Sequence, residues 1–405
     1  MYKRTSTKLI NDISQTFPVL LITGPRQVGK TTLLKMCADE TRNYVTLDNM
    51  EARQLAQTDP ALFLQTYKAP LIIDEVQYAP QLFSYIKILV DREEKNGMFW
   101  LTGSQKFHLM KNVSETLAGR IAILDLLGLS QSELNGYGDD AKPFMPTSEW
   151  LEQAKKVDTS NQLSDIYKNI WIGSFPRVVQ NNDIRDVFYS SYVQTYIQRD
   201  IKNILNVTDE TTFYRFLCSV AARTGQSVNY ANLAKDVAID VKTAKSWLSL
   251  LETSGLVYLL QPYHNNLTKR LVKAPKLYFL DTGLCCYLTK WPDAKSLEVG
   301  AMSGAILETY IIAELLKSYW HNGKTPHFYY YRDLDQKEID LIIETGDSLH
   351  PVEFKKTATP SQTASKHFHM VGKFGKKIGH GGVVCFVEKP VPLSRAVTAI
   401  PVAYL

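Results

Sequence analysis

The chain has 405 residues, 45% hydrophobic and 21% charged, which excludes a disordered protein and leaves room for two or three domains with cores of their own. Its 46 Lys and Arg against 41 Asp and Glu leave a formal charge of only +5, so any nucleic-acid surface has to come from local clustering of charge. Five cysteines without a Cys-x-x-Cys pair exclude a disulfide scaffold and a zinc ribbon, and no apolar run reaches the roughly 18 to 20 residues that span a bilayer.

The N-terminal MYKRTSTKLINDIS is basic but lacks the apolar stretch of a secretion signal, so the expectation is a cytoplasmic protein with no membrane partner. The first strongly patterned segment is FPVLLITGPRQVGKTTLL, Phe17 to Leu34. Its core fits G-x-x-x-x-G-K-[ST], with a strand predicted over VLLIT before it and a helix over TTLLKMCA after it. In such a loop the glycines let backbone N–H groups turn inward around phosphate oxygens, and the helix N-terminus adds partial positive charge. Gly24, Pro25, Arg26, Gln27, Val28, Gly29, Lys30, Thr31 and Thr32 are therefore the candidate nucleotide cradle. Lys30 is placed to reach the β- and γ-phosphates and Thr31 to hold Mg²⁺. Further on, PLIIDEVQYAP ends a predicted strand on Asp74 and Glu75. Asp74 is the candidate second holder of the hydrated metal, and Glu75 the candidate polariser of the attacking water.

A third strand, MFWLTGSQ, ends on Ser104 and Gln105, either a γ-phosphate sensor or a polar strand-end turn. In SETLAGRIAILDLLGLSQSEL, Arg120 stands where a helix gives way to a strand. It is either a finger reaching into a neighbouring subunit's site or a solvent-facing residue at a helix C-terminus. GPRQVGKTT, LIIDEVQ, LTGSQ and TLAGR, in this order, resemble the AAA+-type P-loop ATPases of bacteria and archaea whose C-terminal half is the domain DUF4143. The resemblance continues through GSFPRVV, YVQTYIQRDI, LLETSGLVYLLQPY and KLYFLDTGL. It implies ATP and Mg²⁺ as cofactors, ATP hydrolysis, and a homo-oligomer with Arg120 at its interface. Arg199, in the matching QRD stretch, is a candidate nucleotide contact from a helical lid or a member of a structural ion pair.

NGYGDDAKPFMPTSEW, Asn135 to Trp150, reads as a loop between domains, and helical patterns follow to about Asn229. In SVNYANLAKDVAIDVKTAKSWLSLLETSGLVYLLQPY two helices precede an apolar strand, the second with Asp240 as N-cap. Val241, Ala244, Leu248 and Leu251 are predicted to be buried, with Lys242, Lys245, Ser246 and Ser249 outward. With HNNLTKRLVKAPK this matches a winged helix-turn-helix, in which Lys242, Lys245, Lys269, Arg270, Lys273 and Lys276 are DNA-binding candidates. Winged helices also serve as protein-contact modules, and that reading stands beside it.

In the last hundred or so residues an amphipathic helix, SGAILETYIIAELLKSYW, is predicted to carry Glu308, followed by strands HFYYYRD, KEIDLIIET and LHPVEFKKT. Period-two geometry puts Glu353 and Lys355 on one face, with Asp340 on a neighbouring strand. Glu308, Asp340, Glu353 and Lys355 resemble the PD-(D/E)XK nuclease pattern, in which carboxylates hold Mg²⁺ and a lysine orients water. Lys366, Lys373, Lys376 and Lys377 follow in a stretch without acidic residues, a welcoming surface for phosphate.

The sequence thus predicts an α/β chain in four parts. They are a P-loop NTPase domain of AAA+ type over 1–135, a helical lid and linker over 136–215, a winged helix-turn-helix over 216–290, and a restriction-endonuclease-like α/β domain over 291–405. Expected function is an ATP-hydrolysing ATPase that binds DNA, branched or foreign DNA included. Alternatives are an ATP-gated metal-dependent nuclease and a nucleotide switch acting on protein partners.

Overall fold

A computed structural model of the chain describes residues 2–104, 115–154, 162–196, 210–264, 274–333 and 335–405. Five short apolar segments become the first sheet: β1 (Val19–Thr23), β2 (Asn43–Thr46), β3 (Leu71–Asp74), β4 (Phe99–Gly103) and β5 (Ile121–Asp125). All pair in parallel, in the order β2-β3-β4-β1-β5. Helices α1 (Ser6–Thr16), α2 (Lys30–Cys37), α3 (Met50–Thr58), α4 (Pro60–Thr66) and α5 (Leu82–Glu93) interleave with the strands. β1, β3 and β4 are buried along their whole length, as helices on both faces require. Alternation divides them: Val19, Leu21, Ile73 and Leu101 enter one core and Leu20, Ile22, Ile72 and Trp100 the other.

After α6 (Gln131–Leu134) and α7 (Ser148–Ala154), helices α8 (Leu163–Ile172), α9 (Pro176–Gln180) and α10 (Arg185–Tyr196) lead into a second unit. It contains α11 (Glu210–Ala221), α12 (Tyr230–Val237), α13 (Val241–Thr253) and an antiparallel pair, β6 (Val257–Leu260) with β7 (Lys276–Phe279). Asp240 caps α13 by accepting from the Thr243 N–H at 2.9 Å. One expectation fails in this helix: Val241 is 43% exposed, and Trp247 is buried in its stead. The indole packs edge-on to Phe213 and Phe216, and so large a contact sets the roll of the helix and turns Val241 outward. Lys242, Lys245, Ser246 and Ser249 are exposed as expected.

α14 (Thr282–Leu288) and α15 (Ala294–Val299) connect to α16 (Ser303–Trp320) and then to β8 (Phe328–Arg332), β9 (Glu338–Thr345) and β10 (Ser348–Phe354), an antiparallel meander. β11 (Lys377–Ile378), β12 (Gly381–Cys385), β13 (Val391–Ser394) and β14 (Val397–Pro401) complete a mixed sheet, with β12 parallel to β10 and to β14. Among the described residues no helix is long and apolar enough to cross a membrane.

α16 reads as amphipathic in the sequence, yet it is buried on nearly every face. Its polar side chains are inside because each has a partner on another unit. Glu314 accepts from the Gln131 N–H at 2.8 Å and from Lys317 at 2.7 Å, Lys317 donates to the Leu129 carbonyl at 3.0 Å, and Tyr319 donates to the Phe144 carbonyl at 3.0 Å.

Where α16 ends, His321 meets a second buried ion pair of this junction. Arg4 Nε donates to Glu133 Oε1 at 3.1 Å, its Nη1 to the Val28 carbonyl at 3.0 Å and its Nη2 to the Leu127 carbonyl at 2.9 Å. Glu133 also accepts from the N–H groups of Thr5 and Ser130, both at 2.9 Å. His321 Nε2 accepts from the Leu127 N–H at 3.1 Å, which requires that nitrogen to be unprotonated. Its Nδ1 lies 3.3 Å from Glu133 Oε1, outside hydrogen-bond geometry. Burial lowers the His321 pKa, with Glu133 pulling the other way. Burial raises Glu133, but Arg4 and the Ser130 N–H hold it well below the usual carboxylate range. Because His321 is kept neutral, Arg4 is the balancing cation at neutral pH.

Arg4→Met should leave Glu133 as an uncompensated buried charge and cost about 3 to 5 kcal/mol in chemical denaturation. The pH response has a definite sign. A base with a depressed folded-state pKa adds stability above its unfolded value of 6.5, and the contribution is lost as pH falls toward the folded value. The thermal midpoint should therefore drop between pH 7 and 5. The drop should shrink in His321→Gln, which keeps an acceptor for Leu127 without titrating; an equal drop in the variant would remove His321 as its source.

Candidate functional site

The loop between β1 and α2 takes a shape that few side chains permit. Gly24 has φ +142°, and a Cβ there would lie 2.0 Å from the Leu126 carbonyl oxygen; Gly29, at φ +95°, turns the chain into α2. Lys30 is buried, and its ammonium folds back to donate to the carbonyls of Gly24 at 3.0 Å and Pro25 at 2.7 Å. Thr31 Oγ1 donates to Asp74 Oδ1 at 2.7 Å. The loop and the end of β3, far apart in sequence, thus meet as the motif requires. Val28 is buried and presents its carbonyl to Arg4, while Arg26, Gln27, Gly29, Lys30, Thr31 and Thr32 line a cleft.

Asp74 is a hub: besides Thr31 it accepts from Thr102 and, at 3.2 Å, from the Tyr44 hydroxyl. Burial, with Asp74 beside it, pushes the Tyr44 phenol up to about 12. Glu75 has φ 58°, a left-handed conformation unusual for its residue type, and its N–H donates to Thr102 Oγ1 at 3.2 Å. The side chain accepts from Gln77 and faces the cleft. Ser104 is buried at the end of β4, and its hydroxyl has no hydrogen-bond partner among the described residues. Gln105 and Arg199 lie outside the described residues. The donor set fits a Mg-nucleotide: a hydroxyl and a carboxylate side by side, a buried lysine held by loop carbonyls, and a hydroxyl available to a terminal phosphate.

The cleft has a volume of about 720 Å³, and its far wall comes from the helices after the sheet: Pro176, Arg177 and Gln180 of α9 and Thr195 of α10. Arg177 brings a guanidinium to the site, a residue that loop spacing could not have found. Its signal was the matched GSFPRVV segment, whose proline opens α9 one residue earlier.

Arg120 is elsewhere. The register pairs Val19 with Ile121 and Thr23 with Asp125, and the phosphate loop follows Thr23. Arg120 therefore lies at the opposite end of the sheet, about 16 Å from the loop at ~3.3 Å per residue. It is clamped to Asp91 through Nε at 2.5 Å and Nη2 at 3.0 Å.

The second constellation lies on the C-terminal sheet. The register pairing Val352 with Leu341 sets Glu353 opposite Asp340, and the Phe354 N–H donates to Asp340 Oδ2 at 2.9 Å. Lys355 donates to Glu353 at 2.6 Å, and the three residues line a cavity of about 510 Å³. Burial and Asp340 push Glu353 up to about 8, against the lowering effect of Lys355. Glu308 accepts from Lys276 at 3.0 Å and from the Tyr278 hydroxyl at 2.5 Å. Among the described residues no three His, Cys, Asp or Glu side chains are arranged to hold one metal ion. The Mg²⁺ implied by the nuclease pattern does not fit this arrangement.

The basic candidates divide. Lys242 and Lys245 are exposed on α13, whereas Lys269, Arg270 and Lys273 lie outside the described residues. Lys276 is a correction: its side chain is 5% exposed and paired with Glu308 and Glu338, so it presents no charge to a nucleic acid. The tail lysines are partly neutralised as well, because Lys376 pairs with Glu344 at 2.9 Å and Lys377 with Asp347 at 2.8 Å. The acids come from the β9–β10 hairpin, not from the local sequence.

Three family models match the chain. Residues 16–135 match an AAA domain, residues 163–295 a domain of unknown function, DUF8612, and residues 303–405 a domain of unknown function, DUF4143. Uncharacterized proteins of Mycobacterium bovis and Mycobacterium tuberculosis are each 29% identical over 393 residues, covering 95% of this chain and 80% of theirs. Among solved structures, a Walker-type ATPase of Pyrococcus abyssi is 12% identical with a TM-score of 0.44, covering 70% of this chain and 94% of that one. The Holliday junction branch migration motor RuvB of Thermotoga maritima is 18% identical with a TM-score of 0.32, covering 63% and 88%.

A carboxyl whose folded-state pKa is raised adds stability that is complete below its unfolded value of 4.5 and lost as pH rises through about 8. Glu353→Gln should therefore raise the thermal midpoint relative to wild type at pH 9 and change it little at pH 5. A uniform shift at both pH values would remove Glu353 as the source of the pH dependence.

Proposed function

Because residues 16–135 carry an AAA-type ATPase domain and residues 303–405 a DUF4143 domain, we propose that this chain binds and hydrolyses ATP and uses the cycle to control a DNA-binding C-terminal half. The observation that carries the ATPase reading is the contact of Thr31 with Asp74 beside the folded-back Lys30, in a cleft closed by Arg177. ATP with Mg²⁺ supplies the phosphoryl group and the divalent charge. Lys30 would exchange the carbonyls of Gly24 and Pro25 for phosphate oxygens, and Thr31 and Asp74 would hold the Mg²⁺. Glu75 orients water, Ser104 reads the terminal phosphate, and Arg177 reports the nucleotide to the helices after the sheet. Arg120, too far from its own cleft, serves a neighbouring subunit after release from Asp91.

The DNA reading is supported by the order of three helices and an antiparallel pair in α11 to β7, the order of a winged helix, and by exposed Lys242 and Lys245 on α13. Such lysines grip phosphate and do not read bases. The nuclease alternative is favoured by one observation, the convergence of Asp340, Glu353 and Lys355 beside an open cavity.

Lys30→Ala should weaken nucleotide binding about 10- to 100-fold, through loss of charge-assisted hydrogen bonds. Glu75→Gln should keep binding and slow phosphate release about 10²- to 10⁴-fold. Equal loss of binding in both would refute the division of roles. Mixing Arg120→Ala with Lys30→Ala subunits should restore part of the hydrolysis, whereas mixtures that assemble but stay inactive would return Arg120 to a structural role.

For DNA, replacing Lys242 and Lys245 with Gln should flatten the salt dependence of log K on duplex by about 0.9 for each phosphate that is no longer neutralised. An unchanged slope would take α13 out of the DNA surface and favour a protein partner.

A further inference from the structure

The carboxylates of the C-terminal sheet surround a cation that the chain itself supplies. Lys276 is the first residue of β7, in the hairpin that follows α13, and its side chain is only 5% exposed. Its ammonium contacts Glu308 of α16 at 3.0 Å and Glu338 at the start of β9, and Asp340 stands near enough to act on it. Tyr278, two residues on along the same strand, donates to the same Glu308 oxygen at 2.5 Å. Glu308 is thus committed to β7 through two donors. Glu338 is also 3.6 Å from Arg332.

We propose that Lys276 is a tethered cation standing where a nuclease of this pattern would hold a divalent metal. It latches the C-terminal sheet to the β6–β7 hairpin and keeps the Glu308, Asp340 and Glu353 set from assembling. A buried ammonium and a divalent ion repel each other across a few ångströms, so both cannot use Glu308 at once. Displacing the ammonium would leave it unpaired in a nearly dry place, which is far costlier than leaving the pair intact. Asp340 and Glu353 then face the cavity beside Lys355, without Glu308 on its lining. The inference goes beyond the ATPase reading and stands whether or not the nucleotide cleft turns over ATP.

The test is Mn²⁺ binding to full-length, nucleotide-free, chelator-treated protein, followed by electron paramagnetic resonance and by thermal shift. Wild type and Glu308→Gln should bind Mn²⁺ alike, because Glu308 contributes nothing while Lys276 holds it. Lys276→Met should gain one site at least about tenfold tighter than anything in wild type. That site should vanish in the Lys276→Met/Glu308→Gln double variant, and Lys276→Arg, which keeps the charge, should show no gain. A wild-type Mn²⁺ site that weakens in Glu308→Gln would overturn the proposal, and so would a folded Lys276→Met protein without a new site. If Lys276→Met does not fold, the comparison of wild type with Glu308→Gln decides alone.

Discussion

The burial of Glu133 is the constraint on which the assembly of this chain depends. A carboxylate with no exposed surface survives only if a cation and several donors surround it. Here they come from two distant places: Arg4 and Thr5 near the N-terminus and Ser130 just after the first sheet. Satisfying one charge therefore pins the N-terminal segment to the exit from the nucleotide domain, and the longest helix of the C-terminal half joins them through His321, which accepts from the Leu127 N–H. Arg4 also holds the carbonyls of Val28 and Leu127, so the same guanidinium braces the phosphate loop.

From that junction two routes connect the nucleotide cleft to the C-terminal half. One is α16 itself, with Glu314, Lys317 and Tyr319 on the segments after β5 and, about two to three turns earlier, Glu308 on the carboxylate cluster. The other is a close approach: a Cβ at Gly255, in the turn between α13 and β6, would lie 3.1 Å from the ring of Pro25. Pro25 is the residue whose carbonyl accepts from Lys30. The phosphate loop thus packs closely against the turn that follows the helix carrying Lys242 and Lys245.

The C-terminal sheet shows how alike a catalytic cluster and a structural one look in sequence. Asp340, Glu353 and Lys355 converge on one cavity, as a strand period of two requires. What separates binding from latching is the partner of Glu308. A lysine from another unit converts the acid from an available ligand into half of an ion pair.

Local physics made much of this protein legible from its residues alone. The glycine spacing before Lys30, the apolar strands running into it and into Asp74, the cap at Asp240 and the alternation around Glu353 all act within a few residues, and backbone geometry allows few ways to satisfy them. What tertiary structure alone decided concerns partners separated by long stretches of chain. Arg4 and His321 close on Glu133, Arg177 swings into the cleft, Lys276 disappears between Glu308 and Glu338, and the β9–β10 hairpin brings acids to Lys376 and Lys377. A lysine at position 276 reads as a basic wing residue until the fold buries it. Whether a charge meets solvent, a ligand or another charge depends on which surfaces pack together, and no local periodicity carries that information.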